Sequence, residues 1–292
     1  MSNLPQTAAS VRFHMFARNA CLAAELTVNY RPPGMHIRTI TILAVVSCLF
    51  CSGMTPAYAG EIRVAVAANF APTLTEIAGA FEAKTGHQVI LASGSTGKHY
   101  AQIINGAPFD AFFAADVERP RLLDEAGIGI PGSRYTYAVG RLALWSPQPD
   151  FVDDEGVILF SNAYARLAIA NPRLAPYGLA AQEVLEELGL WEKLQDRLVR
   201  GENINQAFQF VHSGNAQLGF VAASQLTGEV FAASGSRWQV PATLHAPIRQ
   251  QAILLTNSDV ARQFMEFSLS SEAGHIITDN GYELPHREPE QN

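Results

Sequence analysis

Short apolar runs alternate with amphipathic segments along most of this chain. The first three runs cover residues 61–67, 87–92 and 110–116, and a segment with apolar residues at helical spacing follows each of them. Runs that are apolar on both faces are typical of the central strands of a parallel sheet. Three successive strand–helix units therefore predict a parallel sheet with helices on its faces.

The pattern changes in the second half of the chain, where two long β-type runs enclose further strand–helix units. Residues 135–145 form the first long run. We interpret this run, and a second one that begins at Ile248, as crossings between two lobes. Lobe 1 then comprises residues 60–140, completed by residues 249–286, and lobe 2 comprises residues 141–248. The predicted fold class is α/β, with two parallel-rich sheets flanked by helices and a hinged ligand cleft between the lobes.

Four helices are predicted in the later part of the chain. They cover residues 179–188, residues 206–211 and, as two closing helices, residues 258–269 and 271–280. The polar tail, residues 287–292, is expected to be disordered. The buried face expected for the first of these helices consists of Leu179, Val184, Leu185 and Leu188.

The segment before the first strand has the pattern of an export signal. A short positive region leads into an apolar run over residues 39–50, which is shorter than the roughly 20 residues of a transmembrane helix. The sequence Ala-Tyr-Ala then precedes Gly60, so we predict a signal peptide over residues 35–59, cleaved after Ala59, and a periplasmic product. Residues 1–34 are then an extension upstream of the natural start. Lipid attachment at Cys48 is a less favoured alternative.

Composition limits the classes of partner and chemistry. The chain has 292 residues, of which 48% are hydrophobic, and this is enough to form more than one domain. Its net charge is −7, and it becomes −10 once the four arginines and one glutamate before Gly60 are removed. A nucleic-acid partner is therefore not expected. All three cysteines precede Gly60, so we predict no disulfide, no thiolate metal site and no cofactor in the exported product.

The glycine-rich turn at residues 93–97 matches neither a nucleotide-binding nor a nucleophile motif. A P-loop requires a glycine at position 92 and a serine or threonine at position 99, where this chain has Ala92 and His99. A nucleophile elbow requires a glycine at position 93, where this chain has a serine. We therefore interpret the turn as a site for a small anion.

Four strand-to-helix turns offer backbone N–H groups to such an anion, two in each lobe. The turns are Ala68-Asn69, Ser95-Thr96, Pro176-Tyr177-Gly178 and Asn203-Ile204-Asn205. Ligands of α/β folds bind beyond the carboxyl ends of the strands, where helix N-termini present free N–H groups and a positive dipole end. Each position also has a simpler interpretation: Asn69 as a helix cap, Thr96 as a turn residue, and Tyr177 and Ile204 as packed side chains. Their joint placement favours a shared ligand site.

The four turns contain no arginine, histidine or acid except Glu202 at one margin. A site made only of hydrogen-bond donors prefers a fully ionised oxyanion, because a protonated one would need an acceptor. Sulfate, tungstate and molybdate meet this condition, and phosphate meets it less well. Chemistry alone leaves the choice among the three open.

Several short segments resemble one bacterial family when their order and spacing are taken together. They are Val66-Ala67-Ala68-Asn69-Phe70, residues 92–97, residues 104–110, Phe113-Ala114-Ala115-Asp116, Asn171-Pro172, Ala175-Pro176-Tyr177-Gly178, Leu218-Gly219-Phe220-Val221, Gly281-Tyr282 and Leu284-Pro285. From Glu61 to Pro285 the chain is similar to the periplasmic molybdate-binding proteins of bacterial molybdate ABC transporters.

This resemblance implies the type II fold of periplasmic binding proteins and a monomer without enzymatic activity. The implied ligand is molybdate or tungstate, bound as an intact oxyanion with no direct metal-ion ligands. The implied partners are the permease of an ABC transporter and its ATPase subunit. The residues that correspond to the family's oxyanion contacts are Asn69, Thr96, Tyr177 and Ile204, the last two through backbone N–H, with Ala68 and Ser95 adjoining them.

The chain departs from the family pattern at three positions. Many members have a serine where this chain has Asn69 or Thr96, and some have a tyrosine where it has Ala222. These departures bear on the preference for molybdate over sulfate. A binding protein for sulfate or thiosulfate is the first alternative, and a secreted hydrolase with Asp116 and Glu118 as an acid/base pair is the second.

Overall fold

The computed structural model describes residues 59–227 and 235–285. The predicted N-terminal extension, the predicted signal peptide apart from Ala59, and the predicted disordered tail lie outside these residues. Among the helices of the two described ranges, none has the length and apolarity needed to cross a bilayer.

Ten strands within the described residues form two five-stranded sheets. They are β1 (Glu61–Ala67), β2 (Gln88–Gly94), β3 (Ala111–Ala114), β4 (Tyr135–Gly140), β5 (Leu142–Ser146), β6 (Leu167–Ala170), β7 (Leu198–Gly201), β8 (Leu218–Ala222), β9 (Ser236–Gln239) and β10 (Ile248–Leu254). The strand orders are β2-β1-β3-β10-β4 and β7-β6-β8-β5-β9. In each sheet the fourth strand, β10 or β5, runs antiparallel to both neighbours. The remaining pairs, β1 with β2 and β3 and β6 with β7 and β8, are parallel, which confirms the predicted fold class.

Eight helices lie within the described residues, and five of them follow a parallel strand directly. They are α1 (Ala71–Thr85), α2 (Thr96–Ile104), α3 (Glu118–Glu125), α4 (Pro176–Glu187), α5 (Trp191–Leu194), α6 (Ile204–His212), α7 (Asp259–Phe267) and α8 (Ser271–Asp279). Short 3₁₀ turns occupy Val157–Phe160, Gln195–Arg197 and Ala223–Leu226. The two closing helices, α7 and α8, lie where the sequence predicted them.

The chain passes from one sheet to the other at two places. β4 belongs to the first sheet and β5 to the second, and only Arg141 separates them. The return passage follows β9 and leads into β10, which takes the fourth position of the first sheet. The long apolar run at residues 135–145 is therefore two strands, one in each sheet.

Each sheet packs apolar side chains against its own helices. In the first lobe, the Phe264 ring of α7 lies 5.3 Å from the Phe81 ring of α1 and 6.0 Å from the Phe113 ring of β3, between ring centroids. In the second lobe, the Trp145 ring of β5 stacks on the Phe208 ring of α6 at 5.1 Å. Burial of aromatic side chains of this size is a large part of the free energy of folding of each lobe. The two cores hold the strand ends in fixed positions.

The helix predicted over residues 179–188 begins three residues earlier than expected, at Pro176. Its buried face includes Tyr177, Ala181, Val184 and Leu185. These residues follow the helical spacing of three and four, and Leu179 does not. The prediction that Leu179 is buried was therefore wrong, since 47% of its surface is exposed.

Candidate functional site

The six residues predicted to contact an oxyanion all line one small cavity between the two sheets. They are Ala68, Asn69, Ser95, Thr96, Tyr177 and Ile204. The space inside it that a water-sized sphere can occupy is only about 10 Å³, close to the minimum that holds one small group. Asn69, Ser95 and Thr96 are only 5%, 2% and 1% exposed. The cavity is thus small, and its polar lining residues are buried.

The topology of the sheets explains why these residues meet. β1 ends at Ala67 and β2 ends at Gly94, so the turns that follow them lie side by side at the carboxyl edge of the first sheet. The second lobe contributes the turn after β7, which ends at Gly201, and the start of α4 after β6. Carboxyl ends of parallel strands are where α/β folds place ligands. The two edges face each other across the cavity.

Both hydroxyl groups at the start of α2 accept a backbone hydrogen bond. Ser95 caps the helix, and its Oγ accepts from the N–H of Lys98 at 3.4 Å. Thr96 Oγ1 accepts from the N–H of Ala115 at 3.1 Å. A hydroxyl that accepts from the backbone still has its own proton to donate. Each of these two side chains can therefore donate one hydrogen bond to an anion in the cavity.

Asn69 has a different role from the helix cap that the sequence suggested. Helix α1 begins at Ala71, and its cap position is taken by Phe70 without a side-chain hydrogen bond. The Asn69 side-chain amide instead donates to Gln250 Oε1 at 2.8 Å and to the Tyr282 hydroxyl at 3.2 Å. Both amide protons are used in this way. The donor that Asn69 can offer to a ligand is its backbone N–H.

In the second lobe the donors are backbone N–H groups at helix starts. Tyr177 follows Pro176 at the beginning of α4, and Ile204 is the first residue of α6. Asn203 caps α6 and accepts from the N–H of Gln206 at 3.0 Å. Among the described residues, no protein acceptor pairs with the N–H of Tyr177 or Ile204. The first N–H groups of a helix have no intrahelical partner, so they are available to an anion and carry the positive end of the helix dipole.

The cavity lining carries no charge. Its one titratable side chain is Tyr177, and burial raises the pKa of that phenol well above its usual value, so it stays neutral. Within the described residues, no group of three or more His, Cys, Asp or Glu side chains is arranged to hold a metal ion. The arrangement can therefore bind an anion through dipoles and donated hydrogen bonds, without a counter-charge.

Direct hydrogen bonds join the two lobes beside the cavity. The N–H of Gly97 in α2 donates to the carbonyl oxygen of Leu174 at 2.8 Å. The side-chain amide of Asn205 in α6 donates to the carbonyl oxygen of Ala68 at 3.0 Å. Both bonds connect a residue of one ligand turn to the opposite lobe. The structure is therefore a closed arrangement of the lobes.

Glu202, the acid that the sequence places at the margin of the cavity, pairs with a lysine of the opposite lobe. Lys98 Nζ lies 3.0 Å from Glu202 Oε1, and both side chains are about half exposed. Exposed pairs of this kind contribute about 0–1 kcal/mol. The pair also offsets the negative charge of Glu202 near an anion site.

The acid/base pair considered for a hydrolase is not assembled. Asp116 forms an ion pair with Arg119, and Glu118 forms one with Arg121. Burial raises the pKa of Asp116, although Arg119 opposes that shift. Each carboxylate is thus held by its own guanidinium.

The sequence did not identify Gln250 and Tyr282 as the residues that bind the Asn69 side chain. Gln250 and Tyr282 contact Asn69 across 181 and 213 residues of chain. Contacts at that separation leave no local pattern, so sequence reasoning assigned Gln250 no role and named Tyr282 only within a segment of the family resemblance. Asn205 was named as part of a turn, but its bond to Ala68 depends on the closed arrangement of the lobes.

Known proteins resemble this chain over both lobes. Residues 62–283 match the family model described as bacterial extracellular solute-binding protein. Molybdate-binding protein ModA of Azotobacter vinelandii is 48% identical over 231 residues, which is 78% of this chain and 92% of that protein. Molybdate-binding protein ModA of Rhodobacter capsulatus is 46% identical, over 78% of this chain and 90% of that protein. The solved structure of the Azotobacter vinelandii periplasmic molybdate-binding protein superposes with a TM-score of 0.75 at 45% identity and covers 77% of this chain and 100% of its own.

Proposed function

Because this chain belongs to the family of bacterial extracellular solute-binding proteins, we propose that it captures molybdate for an ABC importer. Tungstate is the second cargo in this proposal, because it is a dianion of the same shape. The chain is then a transport component and not an enzyme. The observation that carries the proposal is the uncharged cavity between the lobes, which is lined by hydroxyls and by the N–H groups of helix starts.

The chemistry of this cavity favours a fully ionised tetrahedral oxyanion. Four backbone N–H groups, those of Asn69, Thr96, Tyr177 and Ile204, have no protein acceptor among the described residues. Buried donors without acceptors are costly, and the oxygens of a dianion would satisfy them. No carboxylate lines the cavity to accept a proton from a monohydrogen oxyanion. Phosphate at neutral pH is therefore disfavoured.

Capture follows from closure of the two lobes over the ion. In an open form, the ion would first meet the donors of one lobe, and hinge rotation would then add the donors of the other. The Gly97–Leu174 and Asn205–Ala68 bonds would form in that step. The closed form would be the state that a membrane permease recognises, before an ATPase subunit drives transport.

Export to the periplasm is part of the proposal. The signal peptide at residues 35–59, with cleavage after Ala59, would direct the chain there. The relatives described above include a periplasmic binding protein from Azotobacter vinelandii. We propose that the exported protein acts as a monomer.

Calorimetry and thermal unfolding of dialysed protein test the function. At a molybdate concentration of 100 times the dissociation constant, linkage predicts about 2.7 kcal/mol of added stability, seen as a rise in the unfolding temperature. Tungstate should give a similar rise. Excess sulfate should fail to displace bound molybdate. A protein that responds to sulfate or thiosulfate and not to molybdate would instead be the alternative binding protein.

Gly97→Ala should weaken molybdate binding by roughly ten- to a hundredfold, since overpacking costs about 1–3 kcal/mol. A Cβ at this position would lie 3.1 Å from the Cα and from the carbonyl oxygen of Leu174 in the opposite lobe. The added carbon would oppose closure and leave each lobe intact. The unfolding temperature without ligand should therefore stay close to that of the parent.

Gly274→Ala is the matched control for this substitution. Gly274 also lies in a helix, α8, but a Cβ there would meet only the tip of Leu284 at 3.5 Å, an ordinary contact. Its molybdate affinity should equal that of the parent. Equal affinities in calorimetry for Gly97→Ala and Gly274→Ala would argue against closure of the lobes at this contact.

A further inference from the structure

One buried side-chain amide touches ligand-turn residues from both lobes. Gln250 lies in β10 beside an irregularity in the pairing with β4, and none of its surface is exposed. Its Oε1 accepts from Asn69 Nδ2 at 2.8 Å and from the Tyr137 hydroxyl at 3.2 Å. Its Nε2 donates to the Tyr177 hydroxyl at 3.4 Å. Asn69 belongs to the first lobe and Tyr177 to the second, so this amide spans the two halves of the cavity.

The contact lies at the passage between the sheets. Gly140 is the last residue of β4, directly before the chain crosses to β5. A Cβ on Gly140 would overlap the Tyr177 hydroxyl and would lie 2.9 Å from Gln250 Nε2. The Tyr177 side chain can therefore reach this position because residue 140 is a glycine. The two residues next to the Tyr177 hydroxyl lie on the strands at which the chain leaves and re-enters the first sheet. Gly140 ends β4, and Gln250 lies in β10.

Gln250 meets the ligand turns only through the side chains of their residues. The Asn69 amide and the Tyr177 phenol both end on Gln250, while the backbone N–H groups of the same two residues lie at the cavity. Holding both side-chain ends on one amide limits the movement of the two turns relative to each other. An amide is suited to this task because it accepts on one side and donates on the other.

We propose that Gln250 is a positioning residue that sets the two halves of the oxyanion site in register. This inference rests on the proposed function. A carboxylate at position 250 could not donate to Tyr177, and it would add a negative charge behind an anion site. An apolar side chain would leave one proton of the Asn69 amide and the Tyr177 hydroxyl without their buried partner, whereas the Tyr137 hydroxyl would keep its bond to the carbonyl oxygen of Ala114. Glutamine can donate to the Tyr177 hydroxyl and accept from the Asn69 amide, and it carries no charge.

Gln250→Met tests the proposal, because methionine has a similar length and forms no strong hydrogen bond. We expect molybdate to bind this variant about tenfold or more weakly, with a faster dissociation rate and unchanged one-to-one stoichiometry. A variant that only folded poorly would lose binding sites in calorimetry and keep its dissociation rate. The matched control is Gln251→Met. Gln251 is the neighbouring residue, and its side chain contacts only Arg134 and Thr136 of the first lobe, so its affinity should stay within twofold of the parent.

Tyr177→Phe removes the second-lobe hydroxyl that accepts from Gln250 Nε2 and retains the ring. It should weaken binding in the same direction as Gln250→Met. The double variant should have about the same molybdate affinity as the weaker-binding single variant, because both substitutions remove the same hydrogen bond between Gln250 and Tyr177. Additive losses in this cycle would overturn the proposal, as would parent-like affinity of either single variant. If Gln250→Met did not fold, Tyr177→Phe alone would decide.

The parent protein separates the two hypotheses. If the parent binds molybdate and the variants at positions 250 and 177 bind it equally well, the positioning role fails and the proposed function stands. If the parent binds neither molybdate nor tungstate, the proposed function fails, and the positioning role fails with it.

Discussion

Asn69→Asp is expected to weaken molybdate binding by at least about a hundredfold. A carboxylate would stand beside a dianion in a buried cavity, and a unit charge about 5 Å from a dianion costs several kcal/mol even at an effective dielectric constant of about 20. The same change would oppose a carboxylate oxygen to Gln250 Oε1, which now accepts from the Asn69 amide. Calorimetry at pH 7 measures the loss directly.

Asn215→Asp is the control for net charge. Asn215 is exposed, and its amide donates to Ser213 within the same loop. This variant adds the same charge to the protein at a position away from the cavity lining, so its affinity should match that of the parent. Tight binding by Asn69→Asp would mean that the ion does not bind in this cavity.

The position of the cavity could be predicted from the sequence because it depends on local rules. A strand, a turn with small or polar residues and a helix recur at each of the four turns. The carboxyl ends of parallel strands then bring those turns to one edge of each sheet. Ser95 caps α2 and Asn203 caps α6, as the residue types suggest. Binding of an ion by these turns stays a prediction.

The role of Asn69 could not be predicted, although its position was. An asparagine before an amphipathic segment is a frequent helix cap, and the sequence offered that interpretation as the alternative to a ligand contact. In the structure, Phe70 takes the cap position with helical backbone angles. The Asn69 amide is satisfied instead by Gln250 and Tyr282, whose positions depend on the completed first sheet. Tertiary contacts of this kind override a local preference.

Helix α4 shows a second limit of sequence reasoning. Leu179 is the most apolar residue of the first turn, and so it was assigned to the buried face. The structure buries Tyr177 and Gly178 there instead. A tyrosine and a glycine give a weak hydrophobic signal, and their burial follows from the crossing beside Gly140 and from close contact with β6.

That close contact makes Gly178 the least replaceable glycine of the site. A Cβ on Gly178 would lie 2.7 Å from the carbonyl carbon of Ala170 and 2.9 Å from that of Asn171, and closer still to the Ala170 oxygen. All three atoms belong to the backbone at the end of β6, so no side chain can rotate away. The start of α4 would have to move, and the N–H of Tyr177, one residue earlier, would move with it.

Gly178→Ala should therefore lower the free energy of unfolding by about 3 kcal/mol or more, because the backbone atoms at the end of β6 cannot rotate away from the added methyl group. The variant should also bind molybdate more weakly. Gly79→Ala is the matched comparison, because a Cβ on this residue of α1 would have no heavy atom within 4 Å. Alanine is the better helix former, so Gly79→Ala should raise the free energy of unfolding by about 0.5–1 kcal/mol and leave the affinity unchanged. Urea unfolding and calorimetry of both variants measure the contrast. The same methyl group is added in each case, so changes of opposite sign in the free energy of unfolding would assign the effect to the packing of α4 on β6. Equal stabilities of the two variants would show that α4 does not pack on β6 as closely as described.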